Sequence, residues 1–346
     1  MKAVVLRKPY DLALSEVARP EPRPDEVLIR VTNSGICGTD LKIFTGAMPA
    51  AYPVIMGHEI AGEVVESAAN TRARPGERVL VDPVLFCARC HDCLAGRTNL
   101  CTGGAVIGRE VNGGFADFVV APLSHVYPLP ASIDSRTAPL IQVLTTVLHA
   151  QRRAGVGAVQ HDPAGARQSV AVIGLGVSGQ LHVQLAKARA ASPVIGITRS
   201  AWKRRIADRL GADVTATTGS EGIQAVRSAT QGHGADVVIE STGMVTSIGD
   251  AIAMVRPGGT VVLFGIYTAS EGALPFYQLY YKEPMLVSAR AATSDDFPES
   301  IDLVARGLVT LDPLVTQVLP VAELTRALGM LESDADGRMK IILENR

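Results

Sequence analysis

Aromatic residues are scarce. Phe, Trp and Tyr make up 4% of the 346 residues, and there is a single Trp. A core built from this chain must therefore be aliphatic, as buried parallel sheets are. Charge of one sign is also lacking: 33 Lys and Arg stand against 34 Asp and Glu, a formal net charge of −1. Nothing in that balance attracts nucleic acid or an anionic membrane surface. No apolar run approaches the ~18–20 residues that span a bilayer. The opening MKAVVLRKPYDLALSE is broken by Lys, Arg, Pro and Asp too early for a secretory signal. These absences point to a soluble, cytoplasmic protein without nucleic-acid or membrane partners. No repeat with a period of ~20–50 residues stands out. What is present in quantity is apolar: 47% hydrophobic against 19% charged excludes a disordered chain. At roughly 150 residues per domain, the length suggests two domains.

Cysteine is sparse too, but its five copies are not scattered. Cys87, Cys90, Cys93 and Cys101 form C-x2-C-x2-C-x7-C in the polar, turn-rich stretch CARCHDCLAGRTNLC. Disulfides compete as a reading, but thiols stay reduced in a reducing compartment, and cysteines three apart in a short loop bridge poorly. Four clustered thiolates suit a closed tetrahedral Zn2+ site, which orders a loop that has little core of its own. Such a site has no vacancy for substrate, so this zinc is structural. His91 is surplus to it and is expected to be exposed. The fifth cysteine stands elsewhere, in Gly35-Ile36-Cys37-Gly38-Thr39-Asp40, and Gly57-His58-Glu59 follows twenty-one residues on. One thiolate, one imidazole and one carboxylate are the mixed ligand set of a catalytic zinc that keeps a position open.

Residues 169–173, Ser-Val-Ala-Val-Ile, read as a buried strand, and a helix-like stretch runs from Gln180 to Arg189. Between them lies Gly174-Leu175-Gly176-Val177-Ser178-Gly179. With a strand before and a helix after, G-x-G-x-x-G reads as a dinucleotide-binding turn. Its glycines allow a tight turn, close approach to a pyrophosphate and close helix–strand packing, and the helix N-terminus faces the phosphates. The next strand, 193–198, does not end in the Asp or Glu that would bind a ribose 2′-hydroxyl. It ends in Thr198-Arg199-Ser200, with Lys203, Arg204 and Arg205 following. Hydroxyls and guanidinium groups suit a 2′-phosphate, which favours NADP over NAD. At least one of Arg204 and Arg205 is expected to be a solvated helix face.

Strands at 235–240 and 259–264, a helix at 244–255 and a last strand near 286–289 continue the alternation, which implies a doubly wound parallel sheet. The N-terminal part instead shows short strands at 2–7, 26–31, 61–67, 78–82 and 115–120, an all-β pattern. After 290 this mixed pattern returns, with strands near 315–319 and 338–343 around helices at 298–306 and 322–332. The expected organisation is α/β: a β domain from 1–154 and 291–346 with a zinc lobe at 87–101, and a Rossmann domain at 155–290. Residues 155–168 are the expected seam.

On these motifs, together with Asn112-Gly-Gly-Phe-Ala-Asp-Phe118, the chain resembles the zinc-dependent medium-chain alcohol and polyol dehydrogenases, including the sorbitol- and threonine-dehydrogenase-like members. The resemblance runs almost end to end. It implies a GroES-like domain plus a Rossmann domain, an active site in the cleft between them, an alcohol, polyol or sugar substrate, and a homodimer or homotetramer. It implies Cys37 and His58 as ligands of the catalytic zinc, with Glu59 ligating or lying just behind the metal. Asp40 would orient the imidazole, Thr39 would pass on the substrate proton, and Lys340 would contact the cofactor pyrophosphate. Phe44, Phe115 and Arg290 are candidates to line the pocket. Two departures stand out. Gln142 occupies a position where many members carry a Glu or Asp near the zinc, so it is a candidate weak ligand. Lys42 replaces a relay His. A zinc-free quinone or enoyl reductase of the same superfamily is disfavoured by Cys37, His58 and the cysteine lobe. A nucleotide-binding protein without turnover is the third reading, kept open by Gln142 and Lys42.

Overall fold

The computed structural model describes residues 1–67, 73–157, 167–332 and 337–345. The chain divides into two compact units.

The first unit comprises Met1–Thr145, Thr293–Ala305 and Leu311–Arg346. Its main sheet runs in the order Val126–Pro128, Arg78–Val81, Glu59–Ser67, Glu26–Ile36, Lys340–Glu344, Val315–Pro320, with Phe118–Pro122 also paired to Glu26–Ile36. The long strand Glu26–Ile36 is its axis. Its first half pairs with Phe118–Pro122 and its last residues with the C-terminal strand, Ile36 opposite Ile341. On the other side Gly35 faces Glu59. A smaller sheet orders Asp11–Glu16, Lys2–Lys8 and Val54–Ile55. Among the described residues, two aliphatic clusters lie in this unit. Phe115 sits fully buried in one of them, as core rather than pocket lining.

The second unit comprises Thr146–Ala292 and Arg306–Thr310. Six strands, all parallel, lie in the order Val214–Ala216, Val194–Ile197, Val170–Ile173, Ala235–Glu240, Val255–Leu263, Met285–Ser288. Numbered by sequence, that order is 3-2-1-4-5-6, the doubly wound arrangement whose ligands bind where the strand order reverses. Val170, Ala171 and Val172 are 0% exposed, and so are Val194 and Ile195, which is why these strands read as unbroken apolar runs.

The unit edges differ from the sequence expectation. The helix Leu140–Arg153 is continuous, and its second half packs with the parallel-sheet unit: the Gln151 amide donates to His182 O at 2.9 Å and Arg153 Nε to Ser288 O at 2.8 Å. The return also differs. Thr310 N–H donates to Gln184 Oε1 at 2.8 Å, and the Gln184 amide donates back to Thr310 O at 3.0 Å, which ties 306–310 to the second unit. Residues 158–166 of the expected seam lie outside the described residues. Among the described residues no helix is long and apolar enough to cross a membrane.

Candidate active site

The strand Glu26–Ile36 ends at Cys37, and the helix Gly38–Thr45 begins immediately after it. Asp40 closes the helix start. Its Oδ2 accepts the Cys37 N–H at 2.8 Å, as an acidic residue in a first helical turn can. The other carboxylate oxygen lies 3.3 Å from His58 Nδ1, so one fully buried residue fixes both the Cys37 backbone and the His58 ring. His58 directly precedes the strand that Glu59 opens. The Cys37 sulfur, a His58 ring nitrogen and a Glu59 oxygen all lie within 4.8 Å of one another. Thr39 stands beside them, its hydroxyl 3.8 Å from Cys37 Sγ.

Burial opposes charge at both Cys37 and His58 and is outweighed at both. Burial raises the Cys37 thiol, as does Glu59, but hydrogen bonding to His58 and the charges of His58 and Lys340 bring it below its ordinary value. Burial lowers His58, but Asp40 and the Cys37 sulfur hold it well above its ordinary value.

The structure gives Lys340 a different part from the one the sequence suggested. It is 3% exposed, and its ammonium donates to both Glu59 oxygens at 2.7 Å and to Ile36 O at 3.0 Å. Three donors meet three acceptors, and none is left for a pyrophosphate. Burial disfavours the charge on Lys340, yet Glu59 and Cys37 raise its pKa above the ordinary lysine value. Sequence reading could not foresee this pair, but one signal was present: a lysine opening the apolar run Lys340-Ile-Ile-Leu needs a buried partner. Gly35 is the second missed residue. A Cβ there would lie 1.9 Å from Glu59 Oε2, so only glycine admits the carboxylate. Gln142 stands on a separate element, buried in the first turn of the helix Leu140–Arg153, with its backbone carbonyl accepting the Thr145 hydroxyl at 2.5 Å.

The four clustered cysteines also converge, their sulfurs all within 4.8 Å. Cys90 Sγ is 3.4 Å from Cys93 Sγ and 3.9 Å from Cys101 Sγ. A tetrahedron of ~2.3 Å zinc–sulfur bonds has edges of about 3.8 Å, so the donor set fits that ion. The thiols are unbridged, and a short antiparallel pair, Val84–Leu85 with Ala105–Val106, closes the base of the loop. The His91 side chain is 88% exposed, outside the cluster.

In the second unit the glycine turn joins the strand Val170–Ile173 to the helix Val177–Ala188. A Cβ on Gly179 would lie 1.8 Å from Gly174 O, whereas one on Gly176 would meet nothing within 4 Å. The turn is therefore closed on its packed side and open where a pyrophosphate would approach. At the end of the strand Val194–Ile197, Ser200 Oγ accepts the Lys203 N–H at 3.2 Å and caps the helix Ala201–Arg209. Arg204 turns inward, donating to Thr198 O at 2.7 Å and Arg199 O at 3.0 Å. The Gln180 amide bonds Lys203 O at 2.8 Å and ties this segment to the glycine-turn helix.

Two family models match: the alcohol dehydrogenase GroES-like domain over residues 23–131 and the zinc-binding dehydrogenase over 178–306. L-galactonate-5-dehydrogenase of Escherichia coli (strain K12) is 32% identical over 94% of this chain and 93% of its own. The chain belongs to the zinc-type medium-chain alcohol and polyol dehydrogenases. A zinc-binding dehydrogenase of Sinorhizobium meliloti 1021, solved with NADP, superimposes on this dehydrogenase with a TM-score of 0.90 at 31% identity, covering 99% of both chains. The E. coli CFT073 alcohol dehydrogenase rspB, complexed with NADH, does so at 0.90 and 27% identity, covering 100% and 99%. This dehydrogenase is accordingly a zinc-dependent, NAD(P)-dependent oxidoreductase that moves hydride between an alcohol or polyol and nicotinamide.

Removing the ammonium that faces Glu59 leaves a buried carboxylate unpaired. Lys340→Met is expected to lower stability by ~3–5 kcal/mol. Urea unfolding of the purified variant checks this, and a loss below 1 kcal/mol would contradict the role assigned to the pair.

Proposed function

We propose that this dehydrogenase oxidises secondary alcohols of the polyol or sugar class and prefers NADP. In this reading Cys37 and His58 hold a catalytic zinc, with Glu59 as a third ligand or lying just behind the metal and Gln142 or water taking a remaining position. Cys87, Cys90, Cys93 and Cys101 hold a second, structural zinc. The observation that carries the reading is the convergence of thiol, imidazole and carboxylate at the end of the strand Glu26–Ile36. When bound, zinc supplies Lewis acidity at the alcohol oxygen, and nicotinamide supplies the hydride acceptor. The chain does the rest. With Nδ1 of His58 facing Asp40, Nε2 is the nitrogen left to ligate. The Thr39 hydroxyl, next to Cys37, is placed to take the alcohol proton and pass it on. Lys42 is three residues along the same helix face.

NADP preference rests on Thr198, Arg199, Ser200 and Lys203 standing where NAD sites place a carboxylate. Partnership with a second copy rests on the open edge of the parallel sheet. Phe276, Tyr277, Tyr280 and Tyr281 are each at least 70% exposed, and the edge strand Met285–Ser288 exposes Met285. So concentrated an aromatic patch beside an unpaired strand favours a homodimer.

The following measurements test these readings. A cofactor-reduction screen of polyols, aldoses and simple secondary alcohols is expected to show turnover that chelation abolishes. Metal analysis should find close to two zinc ions per chain, Cys37→Ser should remove activity while leaving the fold, and Cys93→Ser should mainly lower the melting temperature. The reverse pattern would exchange the two metal sites. Arg199→Ala should raise the KM for NADP by roughly tenfold, the worth of a charge-assisted phosphate contact, with little effect on NAD. NAD-only turnover by the unaltered enzyme would overturn the preference. Sedimentation should report a dimer or tetramer that Tyr280→Glu with Met285→Lys dissociates.

A further inference from the structure

The strand Ala235–Glu240 ends in a buried anion that the proposed chemistry does not use. Glu240 is 0% exposed, and its carboxylate accepts four hydrogen bonds. Oε1 takes the Thr242 N–H at 2.8 Å and the Thr242 hydroxyl; Oε2 takes the Gly243 N–H at 3.1 Å and the Tyr267 hydroxyl. Its backbone carbonyl receives the N–H groups of Phe264 at 2.9 Å and Gly265 at 3.0 Å. One residue thereby binds the loop after its own strand, 241–244, to the loop after the neighbouring strand, 264–267.

The two loops are pressed together along their backbones. A Cβ on Gly265 would lie 2.1 Å from Gly243 N, and one on Gly243 would lie 2.8 Å from Ile266 O. The clasp also reaches the glycine turn: the Ser241 hydroxyl donates to Gly174 O at 2.8 Å, and a Cβ on Gly174 would meet the Thr242 methyl at 2.6 Å. Met244 and Ile266 stand 55% and 53% exposed on these loops, an apolar surface at the carboxyl edge of the sheet. Burial and the adjacent carboxylate push the Tyr267 hydroxyl well above its ordinary pKa, so it stays a donor.

The strand order says which part of a cofactor this edge meets. In a 3-2-1-4-5-6 sheet each half serves one mononucleotide, and the ribose that the 2′-position distinguishes sits at the end of the second strand. Loops 241–244 and 264–267 follow the fourth and fifth strands, so they belong to the other half, the nicotinamide half. We infer that Glu240 is a positioning residue for the nicotinamide mononucleotide, clasping the two loops into one wall through Thr242, Gly243 and Tyr267. This rests on the sheet being a nicotinamide-dinucleotide site. The role needs a carboxylate rather than an amide. Backbone N–H groups face both oxygens, so an amide turned either way would set its NH2 against one of them.

The test measures binding of two ligands to the full-length protein. Reduced cofactor is titrated by its nicotinamide fluorescence, and 2′-phospho-ADP-ribose, which lacks nicotinamide, by calorimetry. Glu240→Gln is expected to raise the Kd of the reduced cofactor by about tenfold or more, the effect of an unsatisfied buried donor. The Kd of 2′-phospho-ADP-ribose should stay within about twofold. Tyr267→Phe removes a single hydroxyl and should give a smaller loss in the same direction, and it carries the test if the Gln variant does not fold. Equal weakening of both ligands, or no weakening of either, would overturn the clasp while leaving the dinucleotide site standing. Failure of the unaltered protein to bind either ligand would overturn the dinucleotide site and the clasp together.

Discussion

The pairing of Lys340 with Glu59 is the constraint on which the catalytic unit depends. An ion pair inside a protein is tolerated only when geometry is good and every remaining donor and acceptor is met. Here the ammonium reaches both carboxylate oxygens and the Ile36 carbonyl. Meeting those three acceptors requires the C-terminal strand to lie against the end of the strand Glu26–Ile36, with Glu59 on its opposite side. Cys37 follows directly from the first strand, and His58 directly precedes the second. The pair therefore sets the distance between the Cys37 and His58 side chains without either of them taking part in it.

Two of the buried carboxylates, Glu59 and Glu240, are satisfied differently. Glu59 is held by a cation, the Lys340 ammonium, close to the Cys37 sulfur. Glu240 is held by neutral donors, two backbone N–H groups and two hydroxyls. In both places glycine makes the arrangement possible, because a side chain at Gly35 or Gly265 would occupy the volume of the carboxylate or of the neighbouring backbone.

Legibility followed locality. The alternation of apolar strand and helix in the second unit was readable, because the central strands Val170–Ile173 and Val194–Ile197 are buried along their whole length and read as unbroken apolar runs. The strand expected at 26–31 runs on to Ile36. Asn33 and Ser34 interrupt its apolar pattern, yet both are buried, and the Ser34 hydroxyl donates to Gly114 O at 3.1 Å. The helix Phe276–Lys282 was missed because none of its residues is buried, so it carries no amphipathic stripe. The compact units divide between Thr145 and Thr146, inside the continuous helix Leu140–Arg153, where no turn or glycine in the sequence marks an edge.

The sequence by itself determined which chemical groups are available and how closely they follow one another: four thiols within a short loop, a thiol before a helix, an imidazole beside a carboxylate, a glycine turn between strand and helix. These are short-range facts, set by covalent spacing and backbone conformation. Only the tertiary structure decided that Lys340 faces Glu59 across 281 residues of chain, and that Glu240 fastens two loops from neighbouring strands. The reason is physical: which side chains meet across a sheet depends on strand order and register, and those are settled by the whole core at once.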